Sequence, residues 1–418
     1  MKGAAPRGRP FFRAARASLL AAAAATAFAL AQSAAAAGSL IPSGAAGQSR
    51  VELLECASGQ SAGQTTLDAP LAAPAVLAAD GSALYAATRS GELLRLVVPT
   101  LETSARVTLA YRPAALAAGS GPDAILLAGG RGDEPLSAHD PVTLNELARY
   151  RQRDGKAATV SALMDNPGRS ALVVGFDDLP ETWEIVYDRA APPVLLGFVH
   201  DYRNKEAVPL PGRLTARPFI VASPTRAFAP GPLPWELARI DSRGALGVIN
   251  LEVRREIERP ALAPPGGPER VAAWRQPAGG AADGQGPAGA RGWVAAAPGA
   301  SALVPMRAVG WRPLPPIELG GEVLALTPEP WGPRVLAAHR GQDGILVSTV
   351  DPSDGAVTRL ATLPAMRGER AMATLRFVPG KGSGSGAGCV ALVDADGRWL
   401  GSVSEPERGP GAAPALSR

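Results

Sequence analysis

The residues best suited to chemistry are concentrated in one segment, residues 176–218. Five of them combine an imidazole that titrates near neutrality, a phenol and three guanidinium groups; they are His200, Tyr202, Arg203, Arg213 and Arg217. A guanidinium binds a carboxylate through two parallel hydrogen bonds, so several arginines on one connection can hold an anionic ligand. The segment therefore predicts a cationic site for a small anion.

Each of these side chains also has a structural interpretation. The arginines would then form surface ion pairs with neighbouring acidic residues, and such pairs contribute little to stability. His200 is a candidate iron ligand or general acid/base, and the alternative is a histidine held only by structural hydrogen bonds. The other two histidines, His139 and His339, lie next to turn residues and are weaker candidates for a ligand site.

The stretch 182–187 alternates as a β-strand does. Trp183, Ile185 and Tyr187 share one face by this period of two, and Glu184 lies on the other. Packing of the two aromatic rings between neighbouring sheets is favoured over stacking on a bound macrocycle. This alternation places the cationic segment after a buried strand.

The first 37 residues have the features of a secretory signal peptide: arginines, an apolar run over 19–31, then small residues suited to cleavage. The run is shorter than the roughly 20 apolar residues that a membrane crossing needs. We therefore expect export to the periplasm through the general secretory route, with no membrane span after cleavage, and a linker over 38–50. The net charge of +4 is small, so no nucleic-acid partner is expected.

Short apolar runs closed by Gly, Pro, Asp and Ser follow one another from residue 51, a pattern typical of β-strands. A unit of two such runs recurs at Ala83, Ala124, Ala171, Phe219, Trp293, Val335 and Val390. The first intervals, about 45 residues, match one four-stranded propeller blade. We predict an all-β single β-propeller over 51–405, with eight blades favoured, seven as the alternative and one unit hidden between Phe219 and Trp293. A pair of β-sandwiches is the other interpretation.

The two cysteines lie near the two ends of the predicted propeller. The first strand of a propeller commonly completes the last blade, so Cys56 and Cys389 are predicted to form a disulfide that closes the ring. Two free buried thiols are the alternative. Residues 259–291, rich in Pro, Gly and Ala, are predicted to form a flexible loop, and 406–418 a disordered tail.

Three pieces of the chain resemble the cytochrome d1-type haem-domain propellers, including the NirF-like group. They are YRPAALAAGSGPDAILLAGG, VSALMDNPGRSALVVGFDDLPETWEIVYD and FVHDYRNKEAVPLPGRLTARP. The resemblance implies an eight-bladed propeller that binds haem d1 or another haem in its central channel, with His200 as the matching metal ligand. It also implies periplasmic electron-transfer or haem-maturation proteins as partners, and an oxidoreductase or a d1-haem biosynthesis step if the chain is an enzyme.

These observations leave three functional hypotheses. The leading one is an exported propeller that binds a tetrapyrrole or similar anionic small molecule. The second is a cofactor-free propeller that serves as a periplasmic protein-interaction scaffold, favoured by the absence of any histidine before His139. A hydrolase or lactonase on the same fold is the third.

Overall fold

The computed structural model describes residues 36–39, 48–55, 60–152, 155–195, 209–275, 291–308, 310–329, 332–363, 374–378, 389–393 and 399–404. All of them belong to one unit, Ala34–Arg418. They contain β-strands and two short 3₁₀ helices, Pro167–Arg169 and Pro268–Arg270, and no α-helix. Residues 1–35 of the predicted leader and the predicted tail lie outside the described residues.

The strands are grouped here into eight antiparallel sheets, numbered in chain order, and one two-stranded ribbon. Sheets 3 and 4 are joined by a short pairing of Ala158 with Gly132 and Thr159 with Arg131. Sheet 1 contains β1 (Ala36–Ser39), β2 (Ser49–Glu55) and β3 (Ser61–Leu67). Sheet 2 contains β4 (Val76–Leu77), β5 (Ala83–Ala87), β6 (Glu92–Val97) and β7 (Glu102–Thr108). Sheet 3 contains β8 (Pro113–Ala118), β9 (Leu126–Gly132), β10 (Leu136–His139) and β11 (Glu146–Tyr150).

Sheet 4 carries the ribbon as an insertion before its last strand. It contains β12 (Ala158–Asn166), β13 (Ala171–Phe176), β14 (Glu181–Val186) and, after the ribbon of β15 (Val194–Leu195) and β16 (Pro209–Leu210), β17 (Ala216–Ile220). Sheet 5 contains β18 (Thr225–Pro230), β19 (Glu236–Asp241), β20 (Leu246–Asn250) and β21 (Arg255–Glu258).

The last three sheets follow the same order. Sheet 6 contains β22 (Val271–Arg275), β23 (Arg291–Ala295), β24 (Ala302–Arg307) and β25 (Ile317–Glu318). Sheet 7 contains β26 (Val323–Pro328), β27 (Val335–Arg340), β28 (Ile345–Val350) and β29 (Val357–Leu363). Sheet 8 contains β30 (Thr374–Val378), β31 (Cys389–Val393) and β32 (Trp399–Ser404).

The hydrophobic core is divided among the interfaces between consecutive sheets. Seven clusters of buried side chains join sheet 1 to sheet 2 and so on to sheet 8. The second strands are covered on both faces, which explains why β5, β13 and β19 are buried at every residue. Trp183, Ile185 and Tyr187 pack together between sheets 3 and 4, as their alternation predicts. Eight sheets in series, each packed on the next, form a β-propeller.

One turn recurs between the third and fourth strands of several sheets. Asp140 and Asp351 each accept a hydrogen bond from the backbone N–H two residues on, at 3.0 and 2.8 Å. The fifth residue of each turn then adopts a positive φ, 61° at Leu144 and 78° at Gly355. In sheet 5 Asn250 begins this turn and Arg254 occupies the fifth position, with φ 48°. Glycine adopts this conformation without strain, whereas arginine does not.

The structure differs from the sequence-based expectation in three places. Phe219 belongs to the fourth strand of sheet 4, because the insertion that holds the ribbon displaces the repeat. The unit predicted to lie between Phe219 and Trp293 is present, as sheet 5. Residues 271–275 of the predicted flexible loop form β22, buried against both neighbouring sheets because Trp274 and its neighbours supply a core. Ala36–Ser39, at the predicted cleavage site, pairs with β2.

The predicted disulfide falls largely on parts of the chain beyond those described. Cys56 lies outside the described residues, and Cys389 begins β31 with its side chain outside them. The pairing of these two cysteines stays a prediction.

Candidate functional site

The first strands of the sheets define the central channel. Along the chain, β8, β12, β18, β22, β26 and β30 each lie beside the next, and each pairs on one edge with the second strand of its own sheet. For β18 the neighbours are β12 and β22, and its paired edge is occupied by β19. No described strand pairs with the other edge of β18, which in a propeller faces the central axis, so an exposed residue on this strand is a candidate to line the channel.

Four of these first strands contain a β-bulge at the same place. The bulged residues, each followed by alanine, are Ala114, Ser161, Arg226 and Leu324. A bulge adds one residue that does not pair with the neighbouring strand, and bulges are frequent beside functional sites because they redirect a side chain. Among these four positions, only Arg226 carries a charge.

Arg226 is exposed, although the residue before it, Thr225, is completely buried. In the described part of the chain its guanidinium makes no hydrogen bond or ion pair. Sheet 4 fixes the position of this strand, because the Ser161 hydroxyl donates a hydrogen bond to the Thr225 carbonyl. An unpaired guanidinium on a fixed strand is suited to bind a carboxylate or phosphate that enters the channel.

The two described histidines lie away from this channel. His139 is buried, with Nδ1 donating to the Leu144 carbonyl at 3.0 Å and Nε2 accepting from the Ser137 hydroxyl at 2.7 Å. His339 is buried beside Ser348, 3.1 Å from its hydroxyl. Burial lowers the pKa of both imidazoles, so both are neutral at pH 7. Both rings are buried, so neither is exposed to solvent.

The residues predicted from the cationic segment are only partly described. His200, Tyr202 and Arg203 lie outside the described residues. Arg213 follows the ribbon, where its Nε donates to the Tyr187 carbonyl at 3.1 Å. Arg217 lies on β17, opposite Glu184 of β14. Tyr187 packs toward sheet 3, whereas Glu184 is on the face of β14 toward sheet 5, so the two arginines lie on opposite faces of sheet 4.

Arg217 is part of a group of charges that we call the cationic cleft: Arg169, Glu184, Arg217 and Arg254. Glu184 is fully buried, and one of its oxygens accepts from Arg169 Nε at 2.7 Å. Its other oxygen and Arg217 Nε are buried without a hydrogen-bond partner. Burial lowers the pKa of Arg217, and Glu184 opposes this effect. The positive charges of Arg254 and Arg169 lower that pKa further.

A second group of charges, the paired network, lies where the chain passes from sheet 4 to sheet 5. Its members are Ser223, Arg239, Asp241, Glu256 and Arg259. Arg239 is buried and donates to the Ser223 carbonyl at 3.0 Å and to Glu256 at 3.2 Å. Burial would raise the pKa of Glu256, but hydrogen bonds from Arg259, the Ala222 N–H and Arg239 together hold it below its ordinary value.

Asp165, a half-buried acid on β12, faces sheet 3. It accepts hydrogen bonds from the Tyr187 hydroxyl at 2.9 Å and from the Ser120 hydroxyl. Burial raises the pKa of this carboxyl, and the two hydroxyl donors oppose that effect. Through Asp165, these two hydrogen bonds connect Tyr187, at the end of β14, with Ser120 in the first turn of sheet 3.

Sequence reasoning did not single out Arg226, Arg169, Arg254 or Asp165. For Arg226 a signal was present, because the repeated units place small or apolar residues at the equivalent position before alanine. Its exposure, however, depends on a strand register that only the structure shows.

The described sheets form a β-propeller with an exposed arginine on one of its innermost strands. Among solved structures the chain is similar to dihydro-heme d1 dehydrogenase NirN in complex with DHE, with 16% identity and a TM-score of 0.59, over 88% of this chain and 72% of that one. It is also similar to BamB from Moraxella catarrhalis, with 14% identity and a TM-score of 0.52, over 90% and 92% of the two chains. At these identities the likeness concerns the fold. No protein-family model and no curated protein sequence matches the chain.

Two further properties concern the described residues only. None of their helices has the length and apolar character needed to cross a bilayer. They contain no group of three His, Cys, Asp or Glu side chains arranged to hold a metal ion.

Proposed function

We propose that the protein is an exported β-propeller that binds a tetrapyrrole, or a similar anionic small molecule, in its central channel. The observation that carries the proposal is the exposed Arg226 at the bulge of an innermost strand, which makes no hydrogen bond or ion pair with the described residues. Tetrapyrroles of the d1 type carry several carboxylates, and a guanidinium fork is complementary to a carboxylate. The solved structure of NirN, which has a similar fold, is a complex with DHE.

The described residues fit the carboxylates of a haem better than its iron. Arg226 can bind a propionate, whereas both described histidines have their ring positions directed into buried surroundings. His200, Tyr202, Arg203, Arg213 and Arg217 are the residues predicted from the sequence to bind this ligand. His200, Tyr202 and Arg203 stay in the proposal, with His200 as the proposed metal ligand, whereas Arg213 and Arg217 lie before and on β17, the outer strand of sheet 4, away from the innermost strands. A role in haem maturation or electron transfer belongs to the same proposal.

The test is a titration of the purified full-length protein with haem, followed by the Soret absorption band. We expect a saturable shift, and Arg226→Gln should weaken binding about tenfold, since a hydrogen bond to a charged group contributes about 1.5–3 kcal/mol. Arg243→Gln is the matched control, because Arg243 lies on the same sheet with its side chain 77% exposed. A wild-type protein with no saturable shift would overturn the proposal.

A cofactor-free interaction scaffold is the second candidate function. It is favoured by two exposed aliphatic side chains on the outer strands of adjacent sheets, Ile220 on β17 and Ile257 on β21, with Val253 in the neighbouring turn. Exposed apolar surface of this kind is typical of protein contacts when it is contiguous. This candidate predicts no spectral change in the haem titration.

A further inference from the structure

We propose that a hydrogen-bond chain inside sheet 3 is a proton-binding site, which takes up one proton at His139 on acidification while the protein stays folded. Five groups form this chain, which we call the His139 chain: the Leu144 carbonyl, His139, Ser137, Tyr111 and the Ala128 carbonyl. His139 and Ser137 are buried. None of the five belongs to the proposed tetrapyrrole site, so failure of the haem titration would leave this proposal standing.

The His139 chain has four contacts but only three protons when its members are neutral. The contacts are Leu144 carbonyl to His139 Nδ1 at 3.0 Å, His139 Nε2 to the Ser137 hydroxyl at 2.7 Å, that hydroxyl to the Tyr111 hydroxyl at 2.7 Å, and Tyr111 to the Ala128 carbonyl. Each hydrogen bond needs one proton between its two heavy atoms. A neutral imidazole, a serine hydroxyl and a phenol supply one proton each, so one contact lacks its proton.

The carbonyl groups at the two ends of the chain show which contact this is. A carbonyl oxygen only accepts, so His139 Nδ1 donates to Leu144 and the Tyr111 hydroxyl donates to Ala128. The Ser137 hydroxyl then donates to His139 Nε2, and no proton remains between the Ser137 and Tyr111 oxygens. Their separation of 2.7 Å is nevertheless that of an O–H···O hydrogen bond. The neutral chain is therefore one proton short.

One proton from solvent completes the chain. It binds at His139 Nε2, which then donates to the Ser137 oxygen, and the Ser137 hydroxyl turns to donate to Tyr111. All four contacts then contain a proton, and both N–H groups of the imidazolium have an acceptor. A buried charge is less costly when its hydrogen bonds are made, so the completed chain opposes the effect of burial on His139.

Other titratable and charged groups face the same interface and act on the imidazolium. They are Tyr85 and Arg95 of sheet 2, Asp140 of the turn after β10, and Glu146 and Arg149 of β11. Burial lowers the pKa of His139 and Arg149 lowers it too, whereas the hydrogen bond to the Leu144 carbonyl and the charge of Glu146 raise it. The folded protein therefore takes up this proton below the ordinary value of 6.5, and the chain is neutral at pH 7.

The direct test is nuclear magnetic resonance of the full-length protein with isotope-labelled histidine, between about pH 4 and 7. His139→Gln identifies the signal of His139. We expect the proton of the neutral ring on Nδ1 at pH 7, because Leu144 can only accept, and protonation of both nitrogens on acidification while circular dichroism still reports the folded protein. A neutral ring with its proton on Nε2, or a ring that stays neutral until the protein unfolds, would overturn the proposal.

Two variants test the count of protons. Tyr111→Phe removes the oxygen that accepts from Ser137 in the protonated chain, so it should lower the pKa of His139 by at least about 0.5 pH unit. Ser137→Ala removes the acceptor of Nε2 and should lower that pKa as well. His339, buried in sheet 7 beside Ser348, is the internal control, and its signal should respond to pH as in the wild type. A pKa of His139 that is unchanged or raised in Tyr111→Phe would contradict the count.

Discussion

The two groups of charges between sheets 4 and 5 differ in how completely they are paired. In the paired network, Arg239 and Arg259 bind Glu256, Asp241 accepts from backbone N–H groups, and the charges balance. In the cationic cleft, Glu184 pairs with Arg169, but its other oxygen and the Nε of Arg217, on the opposite strand, make no hydrogen bond with the described residues. Similar side chains in one interface therefore differ in their ion pairs: Arg239 and Arg259 are each paired with Glu256, whereas Arg217 makes no ion pair with the described residues.

The largest effect is expected from Arg239→Met. This change removes a buried partner of Glu256 and leaves the carboxylate with less compensation, so we expect a loss of about 3–5 kcal/mol in the free energy of unfolding. Urea denaturation measures it. Arg243→Met is the control and should change stability by less than about 0.5 kcal/mol. A small effect of Arg239→Met would remove the distinction between the two groups.

Glu256→Gln should lower stability by about 1–3 kcal/mol at pH 7, because its donors lose a charged acceptor. The folded protein holds the pKa of Glu256 below the ordinary value of 4.5. Its stabilising contribution is therefore present above pH 4.5 and is lost as the pH falls through the folded-state pKa. The difference between variant and wild type should disappear in that acidic range. Thermal unfolding between pH 3 and 7 checks this sign, and a difference that grows on acidification would contradict it.

Arg217→Met tests the other side of the comparison. It removes a half-buried cation that makes no hydrogen bond or ion pair with the described residues, so it should change stability by no more than about 1 kcal/mol, or raise it. Urea denaturation in chloride, without phosphate, is the measurement. A loss as large as that of Arg239→Met would show that Arg217 is paired and structural.

Arg226→Gln should have the smallest effect on stability, within about 0.5 kcal/mol, because the side chain is exposed and unpaired. Its thermal unfolding should match wild type. A clear loss of stability would place Arg226 among the structural arginines.

The sequence was sufficient for the fold because its signals are local. Period-two alternation placed Trp183 and Tyr187 in the core between sheets 3 and 4, and turn residues marked most of the repeat. The repeat was misplaced at Phe219, because an insertion before β17 cannot be recognised from strand patterns alone. The buried strand β22 was missed because the small residues around Trp274 resemble a linker until neighbouring sheets cover them.

The candidate sites were harder to predict from the sequence, because they depend on which arginines lack a hydrogen bond or ion pair in the folded protein. Arg217 was selected from the sequence, but its neighbours Arg169 and Arg254 come from distant turns that only the fold brings together. Arg213 and Arg217 are four residues apart in the chain and yet lie on opposite faces of sheet 4. Similarly, Arg226 is distinguished from other surface arginines only by the bulge on an innermost strand.

We propose that Arg226 holds the ligand in the channel by binding a carboxylate. The most direct test is fluorescence titration of the full-length protein with metal-free coproporphyrin and with its tetramethyl ester, which has the same macrocycle without charge. The account predicts saturable binding of the free acid, weakened by Arg226→Gln, and affinity for the ester at least about tenfold lower. Equal binding of acid and ester, or acid binding unaffected by Arg226→Gln, would contradict it.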